Sequence, residues 1–113
     1  MPFINFSTNN KMEKEAKAKL FKKTGELIVI LPTKVEERLM LKIEDETDMY
    51  FRGKGDPCMM IQVFLYKQSP MESKAEFADK LVKAASEASG VPVSEIFLSF
   101  AEYPNWVVNG VLK

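Results

Sequence analysis

A chain of 113 residues is long enough to bury one hydrophobic core and too short for a second. Its 46% hydrophobic and 28% charged residues mark a folding domain, and 16 basic against 16 acidic side chains leave no global field to draw it to nucleic acid or an anionic membrane. A single cysteine excludes an intrachain disulfide framework, and the absence of histidine removes the commonest transition-metal ligand, so neither a metal nor another cofactor is expected. No stretch approaches the roughly 18 apolar residues of a membrane span. The opening MPFINFSTNN has no basic segment ahead of a long apolar run, so the expected address is cytoplasmic.

From Phe3 to Thr8 apolar and polar residues alternate, which predicts a half-buried strand beginning almost at the first residue. Asn9 and Asn10 offer caps for a helix, with Glu13 three residues after Asn10, and Met12, Ala16, Leu20, Leu27, Ile28 and Leu31 recur at helical spacing until Pro32. Gly25 and the β-branched run from Ile28 to Ile30 weaken the last turn. The six lysines from Lys11 to Lys23 are interleaved with Glu13 and Glu15, a solvated face rather than a nucleic-acid footprint.

Arg38 to Ile43 alternates again, a second strand. Glu44 to Pro57 has no clean period and reads as a loop or a wide hairpin connection. Met59 to Tyr66 is a third strand. Ser69, Pro70 and Glu72 then predict a helix start with a capping box, Phe77, Leu81, Ala84, Ala85 and Ala88 its buried stripe, and Gly90 its left-handed stop. Ile96, Leu98 and Phe100 mark a fourth strand, followed by a turn and a short terminal strand.

The order predicts an α/β (α+β) domain spanning residues 1–113. Two βαβ units, 2–43 and 58–101, form a four-stranded sheet with both helices on one face, and 102–113 is a tail. PTKVEERLML and VPVSEIFLS carry the repeat at an offset of about 58. Ile4, Phe6, Leu39, Leu41, Ile61, Val63, Ile96 and Leu98 are expected under the helices. Phe3, Asn5, Met40, Met60, Phe64 and Phe97 make an opposite face apolar enough to predict an oligomer.

Pro2 opening a strand directly, the two βαβ units, DPC at Asp56–Cys58, VPVSEIFLS and the tail YPNWVVNG together resemble the tautomerase superfamily. This is the group of 4-oxalocrotonate tautomerase and macrophage migration inhibitory factor, with a bacterial tautomerase-like subgroup. The resemblance implies a homotrimer with pockets at subunit boundaries, and a keto-enol tautomerase or related proton-transfer enzyme acting on a small carbonyl acid. The N-terminal proline, Pro2, would be the general base once Met1 is removed; an α-amino group titrates near pH 8, and an apolar pocket beside cations lowers that value. With Met1 retained, the Pro2 nitrogen is an amide with no basicity.

By the same resemblance Lys34 or Arg38 would orient the carboxylate or enolate, and Tyr66 would supply a backbone amide. The family's pocket tyrosine and asparagine fall at Phe97 and Ser99, which lack the hydroxyl and the amide. Trp106 either lines a shared pocket or clamps the tail across an interface. These departures keep open a catalytically silent trimeric binding or scaffold protein. A third reading is a ferredoxin-like module, with its first strand central and Pro2 far from any pocket.

Overall fold

The computed structural model describes residues 1–113. Strands form where the sequence alternates: β1 (Pro2–Thr8), β2 (Met40–Glu44), β3 (Met59–Tyr66) and β4 (Ile96–Tyr103) make one sheet in the order β2-β1-β3-β4. β1 is parallel to β2 and antiparallel to β3, and β3 is parallel to β4. Each βαβ unit keeps its two strands side by side, which excludes the split arrangement of a ferredoxin-like module. The helices α1 (Lys14–Leu27) and α2 (Met71–Ser89) cover one face. Under them Ile4, Phe6, Ile61, Val63 and Leu65 are sealed against Leu20, Phe77, Leu81 and Ala85. Each large side chain so buried contributes roughly 1.5–3 kcal/mol.

Several local expectations change. α1 ends at Leu27, and Ile28–Ile30 tightens into a 3-10 turn, where β-branched side chains avoid the crowding of a full helical turn. Neither asparagine caps α1: the Asn10 amide donates to the Ser89 carbonyl at 2.7 Å. The Asn9 side chain holds the loop before β3, donating to the carbonyls of Met49, Gly55 and Asp56 and accepting from Cys58 N–H. Glu36–Arg38 winds into a 3-10 turn, so β2 starts at Met40 rather than Arg38. Pro70, not Ser69, stands at the α2 N-cap, and no side chain caps that helix. Gly90 is left-handed at φ 77°, as its position after the helix requires.

β4 runs on to Tyr103, and the tail folds into a hairpin of β5 (Val107–Val108) and β6 (Val111–Leu112). The sheet face away from the helices stays open: Met40 is 67% and Phe97 59% exposed. At its centre Asn5 is buried, donating to Ser7 Oγ and Gln62 Oε1, while its own Oδ1 has no partner.

The repeat extends further than its sequence shows. Asn5 and Gln62 face each other 57 residues apart. At that spacing α1 falls on α2, and the turn Glu36–Arg38 on Val93–Glu95. Within the loop between β2 and β3, Phe51 bridges to Lys54 around Arg52 and Gly53, at φ 57° and 72°. The tail repeats this turn at Asn109 and Gly110, φ 53° and 71°, the two successive positive φ values of a type I′ hairpin.

Candidate functional site

The start of β1, the turn before β2 and the tail hairpin enclose a cleft of about 1030 Å³, 9 of whose 14 lining residues are hydrophobic. Met1 and Pro2 lie in its wall with Arg38, Met40, Trp106 and Val108. An aromatic row crosses the open sheet face beside it. Phe3 stacks on Phe64 at 5.5 Å, Phe64 on Tyr103 at 6.2 Å, and Tyr103 meets Trp106 at 6.2 Å. The hairpin is closed at its base by paired backbone bonds between Trp106 and Lys113 and by the Asn105 amide on the Lys113 carbonyl.

Both signs of charge meet in this region: the N-terminal amine, Arg38 and Lys113 are cations and Glu37 an anion in the cleft lining. Burial, then the fields of Lys34 and Arg38, hold the N-terminal amine below its ordinary pKa. Lys34 is 8% exposed and donates from Nζ to the Tyr66 carbonyl at 2.9 Å. Burial lowers its pKa, opposed by Glu102. Glu102 lies on the helix side of β4, opposite Leu65, which is itself the partner of Pro2. Its carboxylate accepts from Ser69 N–H at 2.7 Å and from Lys74 Nζ at 2.9 Å; chiefly the Ser69 bond, aided by Lys74 and Lys34, keeps its pKa below the usual range against burial.

Among the sequence-predicted residues, Pro2, Arg38 and Trp106 share the cleft wall. Lys34 lies behind it, joined to Tyr66 through that residue's carbonyl rather than its amide. Phe97 and Ser99 are elsewhere in the chain: they pair with Met60 and Gln62, whereas Pro2 faces Leu65 and, beyond it, Glu102. Three to five residues of strand, roughly 10–16 Å, separate the two levels. Phe97 instead packs edge-on against Phe51 at 4.7 Å. One chain therefore does not bring Phe97 or Ser99 to Pro2. Glu102 and Lys74 carry no signal in the sequence, because they meet only where β4 continues past Ala101 beside the start of α2. The aromatic row was missed because its members come from three strands and the tail.

Cys58 is buried, and burial followed by Glu95 raises its thiol pKa, so it is not a thiolate at neutral pH. No group of three His, Cys, Asp or Glu side chains is arranged to hold a metal ion, and no helix is long and apolar enough to cross a membrane.

A four-stranded mixed sheet of two adjacent βαβ units, with a proline-led first strand opening into a cleft, is the tautomerase type of α+β fold. The sequence profile of the macrophage migration inhibitory factor family matches residues 1–111, and the chain belongs to that family. Its fold is similar to MIF2 of Leishmania major, with a TM-score of 0.92 at 18% identity over 100% of this chain and 97% of that one. It is also similar to the migration inhibitory factor homologue of Prochlorococcus marinus, with a TM-score of 0.84 at 19% identity over 97% of both chains. A third similar structure is Pt0534 inactivated by 2-oxo-3-pentynoate, with a TM-score of 0.85 at 18% identity over 96% of this chain and 93% of that one. No curated protein sequence matches the chain.

Proposed function

We propose that this protein is a keto-enol tautomerase or related proton-transfer enzyme for a small carbonyl acid, with Pro2 as the general base after removal of Met1. The observation that carries the reading is the setting of the N-terminus: in the wall of a mainly apolar cleft, with burial first and then Lys34 and Arg38 lowering the pKa of the terminal amine. Removing Met1 moves that amine to the Pro2 nitrogen, a secondary amine on which the same burial and the same cations would act against the protonated form. It takes a proton from the carbon next to the substrate carbonyl, leaving an enolate, and returns a proton to the enolate oxygen. Nothing is gained or lost overall. Arg38 in the cleft wall is the cation for the substrate carboxylate.

Phe97 and Ser99 join this site only in a reading with a second copy of the chain, whose Phe97 would close the cleft as an apolar wall. The exposed Met40 and Phe97 and the unpartnered Asn5 Oδ1 on the open face support such an assembly, a homotrimer by analogy with the family. The missing tyrosine hydroxyl at Phe97 favours the second reading, a silent binding protein of the same fold.

The inactivation of Pt0534 by 2-oxo-3-pentynoate supplies the test. Intact mass is expected to show Met1 absent and, after incubation with this 2-oxo acid, a single adduct that peptide mapping places on Pro2. Retained Met1, or an adduct that peptide mapping places on another residue, ends the base mechanism. A folded protein free of Met1 that takes no adduct and turns over no keto acid is the silent protein. Light scattering that reports a monomer removes the shared cleft.

A further inference from the structure

We infer that Glu102 is a positioning residue for the N-terminal cleft: its carboxylate, fixed by Ser69 N–H and Lys74, is the counter-charge that keeps Lys34 seated as an ammonium on the Tyr66 carbonyl. The inference deepens the reading of Pro2 as base and rests on it for its meaning, although its measurement does not.

The repeat shows why Glu102 is more than a support for its helix. At the 57-residue spacing, its counterpart in the first half is Asp45. Asp45 accepts from Met12 N–H at 2.9 Å and pairs with Lys17 at 2.9 Å. Met12 and Lys17 are in turn the counterparts of Ser69 and Lys74. Both carboxylates therefore do the same local task, tying the entrance of a helix to the end of an edge strand. Only Glu102 has a further cation behind it. Lys34 sits where the other half has the fully buried Val91, and its amine reaches the carbonyl of Tyr66, one residue beyond the strand partner of Glu102.

A buried ammonium with one neutral acceptor is costly to keep charged, and a carboxylate held rigidly nearby offsets that cost through space. Glu102 makes its direct ion pair with Lys74, so Lys34 feels it without being drawn away from Tyr66. The other charged groups facing this region are the terminal amine and Arg38 towards the cleft, Glu37 and Lys113 on its rim, and Lys67, whose ammonium lies over the Tyr66 ring.

The test is the titration of Lys34, followed by the NMR shift of its side-chain carbon next to Nζ in lysine-labelled protein and assigned with Lys34→Met. Glu102→Gln is expected to lower the midpoint by about one unit, the usual size for loss of a neighbouring opposite charge. Lys74→Met removes a cation from the same carboxylate and is expected to raise it. Asp45→Asn breaks the equivalent helix support and is expected to leave it unchanged, and Glu102→Asp is expected to retain part of the effect. Opposite signs from Glu102→Gln and Lys74→Met do not arise from a merely structural role. A Lys34 midpoint that does not move in Glu102→Gln, or that moves equally in Asp45→Asn, overturns the inference. If the protein turns over a keto acid, the alkaline limb of its rate moves down by the same shift. If it turns over none, the NMR midpoints still decide the role of Glu102, and only the reading of Pro2 fails.

Discussion

In the second half of the chain a left-handed glycine, Gly90 at φ 77°, leads into Val91, a fully buried apolar residue. In the first half the same backbone turn is made by Thr33 at φ 69° and leads into Lys34. A β-branched residue in the left-handed region is strained, and a lysine in a valine's place is desolvated. The hairpins divide the other way. The first-half hairpin is pinned by the four bonds of Asn9, by Phe51 on Phe97 and by Arg52 to Glu95 at 3.2 Å. At the same spacing the tail hairpin has Tyr66, Val108 and Asn109 in place of Asn9, Phe51 and Arg52, and it forms a wall of the cleft. Where the first half gives up local stability it builds the charge beside Pro2, and where the second half does so it builds the cleft wall.

The largest test of this comparison is whether the halves share one core. Phe77→Ala is expected to cost about 3–5 kcal/mol and its counterpart Leu20→Ala about 2–5 kcal/mol. Urea unfolding followed by circular dichroism should show a single transition for both, and two separable transitions would mean that the halves fold independently. Next is Asn9→Ala, expected to cost about 2 kcal/mol through its lost bonds. Hydrogen exchange should then quicken at Lys54 N–H and not at the Trp106–Lys113 pair; equal quickening would show that the hairpins are coupled.

A smaller effect comes from acid. Asp45 and Glu102 both titrate below their ordinary values of 3.8 and 4.5. The stability they add is therefore complete at neutral pH and is lost as pH falls below those values. Asp45→Asn and Glu102→Gln should each cost about 1–2 kcal/mol at pH 7. Each should also flatten the fall in melting temperature between about pH 5 and pH 2. The smallest effect tests the strained turn. Thr33→Gly is expected to gain up to about 1 kcal/mol, and Gly90→Ala to lose about the same, both read from thermal melts.

Much of this was legible in the residues because it depends on neighbours in sequence. β3 is legible with the bounds it has, since all its residues but Gln62 are apolar or aromatic in a run closed by Pro57 before it and Lys67 after it, and Gly90 is legible as a stop because the conformation it adopts favours glycine. What escaped depends on long-range partners. Asn9 and Asn10 look like helix caps until their acceptors appear across the fold. Glu102 looks like the polar residue that ends a strand, because its partners Ser69 and Lys74 belong to another element. The loop from Glu44 to Pro57 hid a hairpin because Arg52 carries no sign of a positive φ. In the cleft, Pro2 and Arg38 follow from resemblance and Trp106 from its place in the tail, while the aromatic row from Phe3 to Trp106 is assembled only by strand order.

The chain contains one tryptophan, and it is Trp106, tilted against Tyr103 in the cleft wall. The protein thus carries a built-in optical reporter where a ligand would lodge. An unlabelled sample excited at the red edge of aromatic absorption emits from that one spot, so occupancy can be followed by intensity, quencher access or anisotropy without attaching a dye. Met49, its counterpart in the first half, is dark, so the signal is not confused by the other hairpin.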